Sequence, residues 1–248
     1  HGHEPIEEVG VWGFEAGVAG LQHRCQSLFG DHEIDEEVDP LLRRTSAPLP
    51  SESLGELDRQ SGDGDFGANL TSAFTRVRGE IETTSPDTYP QWLTAVSRGF
   101  LGTGGTSGPL FGMFFRDLAR CTTEPTPTLT ELASGLRNGL ATVQRYGKAE
   151  VGHKTMVDAI APAADALSAR AAAGDDPVTA LEAAAVAAVD GARSTSDIIA
   201  RRGRASYVGE VSRGVGDPGA AAVAIMVACA AAGAGGDNAA VDVSWIGS

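Results

Sequence analysis

Apolar residues recur at three- and four-residue spacing along almost the whole chain, and this helical period constrains the fold more than any other feature. Alternating runs of β-branched residues are nearly absent, and the alanine-rich last third strongly favours helix. Gly, Pro and acidic residues separate the periodic stretches. We therefore predict an all-α bundle that forms a single domain over residues 1–248. The eight predicted helices are 11–29, 68–81, 89–101, 108–120, 129–146, 155–173, 177–199 and 219–232.

The segment 31–56 breaks the helical pattern. It is acidic, contains Pro and Ser, and is long for a connection between bundle helices. We interpret it as a loop. Two alternatives stay open, an excursion over a bound ligand and a surface for a partner.

Charge and cysteine content limit the compartment and the partners. The net charge of −14 and the pI near 4.7 disfavour nucleic acid and anionic membranes, which would repel the protein. Cys25, Cys121 and Cys229 lack paired spacing, which is typical of reduced thiols. No apolar run reaches the length of a membrane span, and the start does not resemble a signal peptide. We therefore predict a cytoplasmic protein.

Three aspartates, Asp58, Asp63 and Asp65, lie within eight residues of one another and alternate with glycines. Carboxylates this close repel one another unless a cation lies among them. Mg²⁺ takes one or two carboxylates per ion and completes its shell with phosphate oxygens and water, so the pattern predicts a magnesium–nucleotide site. An EF-hand is excluded because no carboxylate follows Asp65 until Glu80. An ordinary turn with a helix cap is the remaining alternative.

A glycine-rich run, 102–108, stands directly before the apolar helix that begins near Pro109. Glycines let phosphate oxygens approach the backbone, Thr106 and Ser107 add hydroxyls, and a helix N-terminus supplies free N–H donors. A simple linker between helices fits the same run equally well.

The chain contains only two lysines, Lys148 and Lys154, and both lie in the segment 147–156. Their isolation in one glycine-containing turn indicates a point charge near phosphate, with a solvated loop as the alternative. A P-loop is rejected because the spacing is wrong and no buried strand precedes it.

A fourth run, 203–219, is rich in glycine and contains Arg204, which could bind phosphate with its forked guanidinium. Asp217, Pro218 and Gly219 form a turn that leads into the last helix. No Ser–His–Asp or Cys–His pattern is present, so we predict no catalytic residue from this chain.

These four runs, in this order, resemble the nucleotide-binding L subunit of dihydroxyacetone kinases. The likeness extends from residue 54 to the C-terminus, and 31–50 corresponds to an insertion. The resemblance implies an eight-helix antiparallel barrel with a nucleotide site at one end. It also implies two Mg²⁺ ions on Asp58, Asp63 and Asp65. The residues that it implies around the phosphates and the rest of ATP or ADP are Phe66, Gly67, Ala68, Asn69, Thr106, Ser107, Gly147, Met156, Arg204, Asp217, Pro218 and Gly219.

The chain departs from the family pattern at four positions near these motifs. Phe66 stands where the family usually has His, Leu70 where it has Met, His153 where Asp is common, and Val211 where Arg is common. A Phe side chain cannot donate to phosphate, although its backbone N–H can. The metal ligands are untouched.

The resemblance implies a phosphotransferase component that presents Mg-ATP, or a bound ADP/ATP coenzyme, to a small ketose held on a separate K-type subunit. In the coenzyme version, a phosphohistidine-carrying partner recharges ADP. The sequence leaves both versions open, and also a homodimer. The alternatives are a regulatory subunit that senses nucleotide without catalysis and a kinase component for another ketose such as a tetrulose.

Overall fold

The computed structural model describes residues 50–236 and 241–247, and within these ranges the chain forms eight α-helices and no strand. Three short 3₁₀ turns lie between the last two helices. The all-α prediction is confirmed. The helices are α1 Pro50–Ser61, α2 Phe66–Thr84, α3 Tyr89–Leu101, α4 Ser107–Ala119, α5 Leu129–Gly147, α6 Val157–Ala173, α7 Pro177–Ser194 and α8 Pro218–Ala234.

The helices close into a ring. Each one packs against the next along the chain, and α8 returns to pack against α1. Short connections make neighbouring helices antiparallel, and α8, which follows a long loop, packs against α7 and continues the ring. The loops that follow α1, α3, α5 and α7 therefore lie at one end of the barrel, together with the N-termini of α2, α4, α6 and α8.

One helix was not predicted. The sequence interpretation of 31–56 as a loop is wrong from residue 50 onward, because α1 begins there. Leu54 and Leu57 lie three residues apart and are buried, so they supply the apolar face of this short helix. Proline suits a first helical position, and here it was misread as a sign of a loop. The predicted helix 11–29 and the rest of the insertion lie outside the described residues.

The predicted helix 177–199 was too long, since α7 ends at Ser194. The hydroxyls of Ser194 and Thr195 donate to the carbonyl oxygens of Gly191 and Ala192, at 2.8 and 2.5 Å. A 3₁₀ turn, Thr195–Asp197, follows. The long α7–α8 loop begins at this point.

Small residues allow the last three helices to approach closely. Helix α8 is apolar on all sides, as expected of a helix that is buried all round. Gly191 in α7 lies against the backbone of Asp158 and the ring of Pro162 in α6, and a Cβ atom there would overlap the Asp158 carbonyl oxygen. The alanine-rich sequence thus serves tight helix packing as well as helix propensity.

Aromatic side chains fill the barrel beneath the loops that follow α1, α3, α5 and α7. Phe100 lies 5.5, 5.3 and 5.4 Å, centroid to centroid, from Phe74, Phe111 and Phe115. Nearer the opposite end, a second cavity of about 120 Å³ is bounded almost entirely by Leu, Phe, Ala, Met and Val side chains. None of the described helices combines the length and apolarity needed to cross a bilayer.

Candidate functional site

A cavity of about 190 Å³ opens at the end of the barrel where the loops after α1, α3, α5 and α7 meet. All four sequence runs contribute to its wall, although they are spread over more than half of the chain. The predicted site residues that line it are Asp58, Asp63, Phe66, Asn69, Thr106, Ser107, Gly147, Met156, Arg204, Asp217, Pro218 and Gly219.

The acidic turn connects α1 to α2. Gly62 N–H donates to the carbonyl oxygen of Asp58 at 2.5 Å, and Gly64 has φ +80°, a left-handed conformation that favours glycine. The Asp58 carboxylate accepts the N–H of Phe66 at 3.0 Å. The Phe66 N–H, which we considered as a donor to phosphate, is therefore already hydrogen-bonded to the Asp58 carboxylate. The Phe66 ring lies partly buried against the core.

Three predicted site residues do not line the cavity. Gly67 is buried at the crossing of α1 and α2, where a Cβ atom would overlap the carbonyl oxygen of Ser51 and lie 3.2 Å from Gly55 Cα. Ala68 is exposed on the outer face of α2. Asp65, the residue before α2, is also exposed, and it makes no side-chain cap.

The glycine-rich turn faces the acidic turn across the cavity. Gly105 has φ +79°, and a Cβ atom on it would lie 3.3 Å from the Asn69 side-chain nitrogen. Thr106 precedes α4 and makes no side-chain cap to its first N–H groups. An uncapped helix N-terminus with flanking hydroxyls is well suited to an anion.

Arg204 reaches the acidic turn from the α7–α8 loop. Its guanidinium forms an ion pair with the Asp63 carboxylate and lies 3.9 Å from that of Asp65. The side chains of Arg204 and Asp63 are 50% and 34% exposed, so solvent screens this pair. A cation therefore already lies among the carboxylates that the sequence assigned to metal.

The described residues contain no group of three His, Cys, Asp or Glu side chains close enough to hold a metal without further ligands. Asp58 in the last turn of α1 and Asp63 and Asp65 in the following turn nevertheless offer hard oxygen donors, and the last two attract the Arg204 guanidinium. This donor set fits Mg²⁺ that is shared with phosphate oxygens and water. The three-aspartate metal site stays a prediction.

Asp217 caps the last helix inside the cavity wall. Its carboxylate accepts the N–H of Ala220 at 2.7 Å, and its own N–H donates to the Thr195 hydroxyl at 2.8 Å. Burial raises the pKa of Asp217 to about 7. The nearby carboxylates of Asp158 and Asp58 add to this rise, whereas the hydrogen bond from Ala220 and the Lys154 ammonium oppose it.

Lys154 lies in the cavity wall, but its ammonium is already engaged by protein oxygens, and its contact with phosphate stays a prediction. Its side chain is buried, and its ammonium donates to backbone carbonyl oxygens of the α7–α8 loop. Lys148 is exposed at the end of α5 in a left-handed conformation and does not line the cavity. Its solvated-loop alternative fits that position.

The floor of the cavity was missed by sequence reasoning. Leu110, Phe111 and Val143 lie there, and their helical spacing is the same as that of ordinary core residues. Thr155 and Arg202 were missed in the wall. Arg202 had a usable signal, since it directly precedes the glycine-rich run 203–219 and is two residues from Arg204.

Comparison with known proteins gives consistent matches. A family model described as the DAK2 domain matches residues 60–232. The PEP-dependent dihydroxyacetone kinase, ADP-binding subunit DhaL, of Escherichia coli (strain K12) is 40% identical over 179 residues, which cover 71% of this chain and 85% of that subunit. The PEP-dependent dihydroxyacetone kinase 2, ADP-binding subunit DhaL, of Listeria innocua is 40% identical over 171 residues, which cover 67% and 78%.

A solved structure shares the fold. The dihydroxyacetone kinase from C. freundii, crystallised with AMP-PNP and Mg²⁺, superposes with a TM-score of 0.55 at 23% identity. The superposition covers 93% of this chain and 35% of that one, so this chain spans about a third of the crystallised kinase.

Proposed function

The chain belongs to the DAK2 domain family, and on that premise we propose that it is the nucleotide-binding subunit of a dihydroxyacetone-type kinase. It binds ADP or ATP in the cavity between the four loops that follow α1, α3, α5 and α7. It presents the terminal phosphate to a small ketose that a separate K-type subunit holds. Its contribution is binding, positioning and charge stabilisation.

One observation carries this proposal: a single cavity is lined by carboxylates, by a guanidinium and by a helix N-terminus without a side-chain cap. Arg204 and the N-terminus of α4 offer positive charge and N–H donors to phosphate, on the side that faces Asp58 and Asp63. The apolar floor formed by Leu110, Phe111 and Val143 suits the base or ribose of a nucleotide. A ligand with both an anionic and an apolar part fits this division.

Asp58, Asp63 and Asp65 would hold two Mg²⁺ ions together with the phosphates. Bound there, Mg²⁺ would neutralise charge that develops on the transferred phosphoryl group. The chain's own residues do the rest. The acidic turn fixes the carboxylates, Arg204 turns from its aspartate partners toward phosphate, and Thr106 and Ser107 donate hydroxyl hydrogen bonds.

The two DhaL subunits bear on the identity of the phosphate donor. Both are ADP-binding subunits of PEP-dependent kinases. We infer that this chain likewise keeps ADP as a coenzyme that a phosphohistidine-carrying partner recharges. Exchangeable ATP is the alternative, and a tetrulose is the alternative to dihydroxyacetone as acceptor.

Calorimetry with ADP and ATP, with and without Mg²⁺, tests the site. We expect binding that needs Mg²⁺ and is lost in Asp63→Asn. Absence of heat with both nucleotides in the presence of Mg²⁺ would overturn the proposal. Reconstitution with a K-type subunit, a panel of trioses and tetruloses, and each phosphate donor then identifies the reaction. Nucleotide-dependent complex formation without phosphate ester would identify a regulatory subunit instead.

A further inference from the structure

The ammonium of Lys154 is enclosed by four backbone carbonyl oxygens. Nζ lies 2.7 Å from those of Thr195 and Ser212, 3.2 Å from that of Ile198, and also within hydrogen-bond distance of that of Val215, so its three N–H groups serve four acceptors. The side chain is 1% exposed, and no carboxylate of the described residues lies within ion-pair distance of it. An ammonium in this setting replaces its water shell with carbonyl oxygens, as a small bound cation would.

The four carbonyls belong to the two ends of one loop, 195–217, which joins α7 to α8 and which we call the Arg204 loop. Thr195 and Ile198 lie where it leaves α7, and Ser212 and Val215 lie where it returns toward α8. Four other hydrogen bonds join the two ends. Gly214 N–H donates to the Ser196 carbonyl oxygen at 2.8 Å and Ala200 N–H to the Ser212 hydroxyl at 3.0 Å. The Arg213 guanidinium donates to the Asp197 carbonyl oxygen at 2.9 Å and Asp217 N–H to the Thr195 hydroxyl at 2.8 Å. The Lys154 ammonium contacts two carbonyl oxygens at each end, so one buried positive charge helps to close the base of this long loop.

Lys154 also ties this loop to the cavity wall. Its neighbour His153 accepts the N–H of Arg201 through its carbonyl oxygen at 3.1 Å, and the next residues, Thr155 and Met156, line the cavity. The Asp158 carboxylate fixes this turn by accepting the N–H groups of Gly152 and Thr155, at 2.5 and 2.8 Å. The anchor of the loop is thus itself held in place.

The residue type is also informative. Lys154 has φ +60°, which is unfavourable for a residue with a side chain, in a chain that uses arginine at every other basic position except Lys148. A compact ammonium can point its three donors at carbonyls that converge on one point, whereas a planar guanidinium cannot. The geometry of the cage therefore accounts for lysine here.

We propose that Lys154 is a positioning residue whose ammonium acts as an internal cation, closing the Arg204 loop so that Arg204 is held over the acidic turn. The link to nucleotide rests on the proposed function. The closure of the loop does not. Removal of the amine should open the loop and leave an empty carbonyl cage that a small alkylammonium ion can fill.

Limited trypsinolysis measures loop closure directly, because the Arg204 loop contains Arg201, Arg202, Arg204 and Arg213. We expect cleavage at these sites, identified by mass spectrometry, to be at least about tenfold faster in Lys154→Ala and Lys154→Met than in the wild type. Lys148→Ala, which removes the other lysine, is the matched control and should be cleaved like the wild type. Far-UV circular dichroism checks that each variant is folded.

Chemical rescue separates a cation role from simple packing. Propylammonium should restore protection in Lys154→Ala, because it replaces the deleted atoms and carries N–H donors. Tetramethylammonium, which has no donor, should not restore it. Equal cleavage of the wild type and Lys154→Met, or equal effects of the two ions, would overturn the proposal.

If the neutral variants do not fold, Lys154→Arg decides the question, since it keeps the charge but cannot match the cage. We expect this variant to be folded and to be cleaved faster in the Arg204 loop, and wild-type cleavage would overturn the proposal. For nucleotide, Lys154→Ala should raise the ADP Kd, and adding it to Arg204→Ala should raise it no further. If the wild type binds no nucleotide, the proposed function fails while the protease result still decides loop closure.

Discussion

Arg204 and Asp63 form an ion pair across the mouth of the cavity and so connect the α7–α8 loop to the turn between α1 and α2. The two residues are separated by most of the folded chain, and the closed ring of helices brings them together. The pair places a protein cation where Mg²⁺ and phosphate are proposed to meet. The Arg204 guanidinium and Mg²⁺ should therefore compete for the Asp63 carboxylate, which leads to two predictions.

Asp63→Asn should remove ketose phosphorylation in the reconstituted kinase while leaving the fold intact. The loss should be about a hundredfold or more, since Mg²⁺ ligation supplies several kcal/mol of charge stabilisation. The exposed pair with Arg204 contributes about 1 kcal/mol or less to stability. Initial rates and far-UV spectra measure the two effects. Glu56→Gln on α1 is the control, because it removes the same charge from an exposed pair with Arg59 and should leave the rate unchanged.

Arg204→Ala should change the affinities for Mg²⁺ and for nucleotide in opposite directions. Without nucleotide, Mg²⁺ no longer competes with the guanidinium for Asp63 and should bind several-fold more tightly. Mg-ADP should bind about tenfold more weakly, because a charge-assisted contact to phosphate is lost.

Calorimetry on the same preparations measures both constants. Arg201→Ala removes the same charge from the same loop, but Arg201 does not line the cavity, and it should change neither constant. Weaker binding of both ligands in Arg204→Ala would contradict the competition between guanidinium and metal.

The helices and the motif-bearing turns were predictable because their signals are local. Runs such as 129–147 repeat apolar residues at helical spacing, and Asp–Gly or Gly–Thr–Ser clusters mark turns without reference to the rest of the chain. Helix α1 was missed because only Leu54 and Leu57 form its apolar face within 12 residues, among Ser, Glu and Gly. A pattern that short does not separate a helix from a loop.

The role of Lys154 could not be read from the sequence because its partners are backbone carbonyls 41 to 61 residues further along the chain. Carbonyl oxygens leave no mark on residue identity. A lysine in a glycine-containing turn therefore indicates a surface charge until the loop that covers it is known. The same limit applies to Leu110 and Val143. Whether an apolar helix residue faces a cavity or a packed core depends on residues that are distant in the sequence.

Asp217 should make the nucleotide-free, metal-free protein less stable as the pH rises from 5 to 8. Its pKa is about 7 in the folded state against an ordinary value of 3.8, so the folded state holds a proton that the unfolded state releases. That stabilisation is fully present below pH 3.8 and is lost as the pH rises through 7. The loss should be about 3 kcal/mol between pH 5 and 8. It should disappear in Asp217→Asn, whose amide oxygen can still cap Ala220.

Urea unfolding in EDTA at several pH values measures this change. Asp176 precedes Pro177 as Asp217 precedes Pro218, and it likewise caps a helix, so Asp176→Asn is the matched control. Hydrogen bonds from Thr179 and Val178 lower the pKa of Asp176. Its contribution is lost only as the pH falls through that lowered pKa, so the control should leave the slope between pH 5 and 8 unchanged. An identical slope in Asp217→Asn and the wild type would contradict the assignment.

Gly67→Ala should destabilise the fold by about 1–3 kcal/mol, because the added methyl group would overlap the backbone of α1 at Ser51 and Gly55. Gly79→Ala lies three turns further along the same helix, where a Cβ atom meets nothing within 4 Å. It should stabilise the fold by about 0.5–1 kcal/mol through helix propensity. Urea midpoints of the two variants measure the contrast. If Gly67 instead serves phosphate approach, Gly67→Ala would weaken ADP binding with little change in its urea midpoint, and the helix-crossing explanation for this glycine would be wrong.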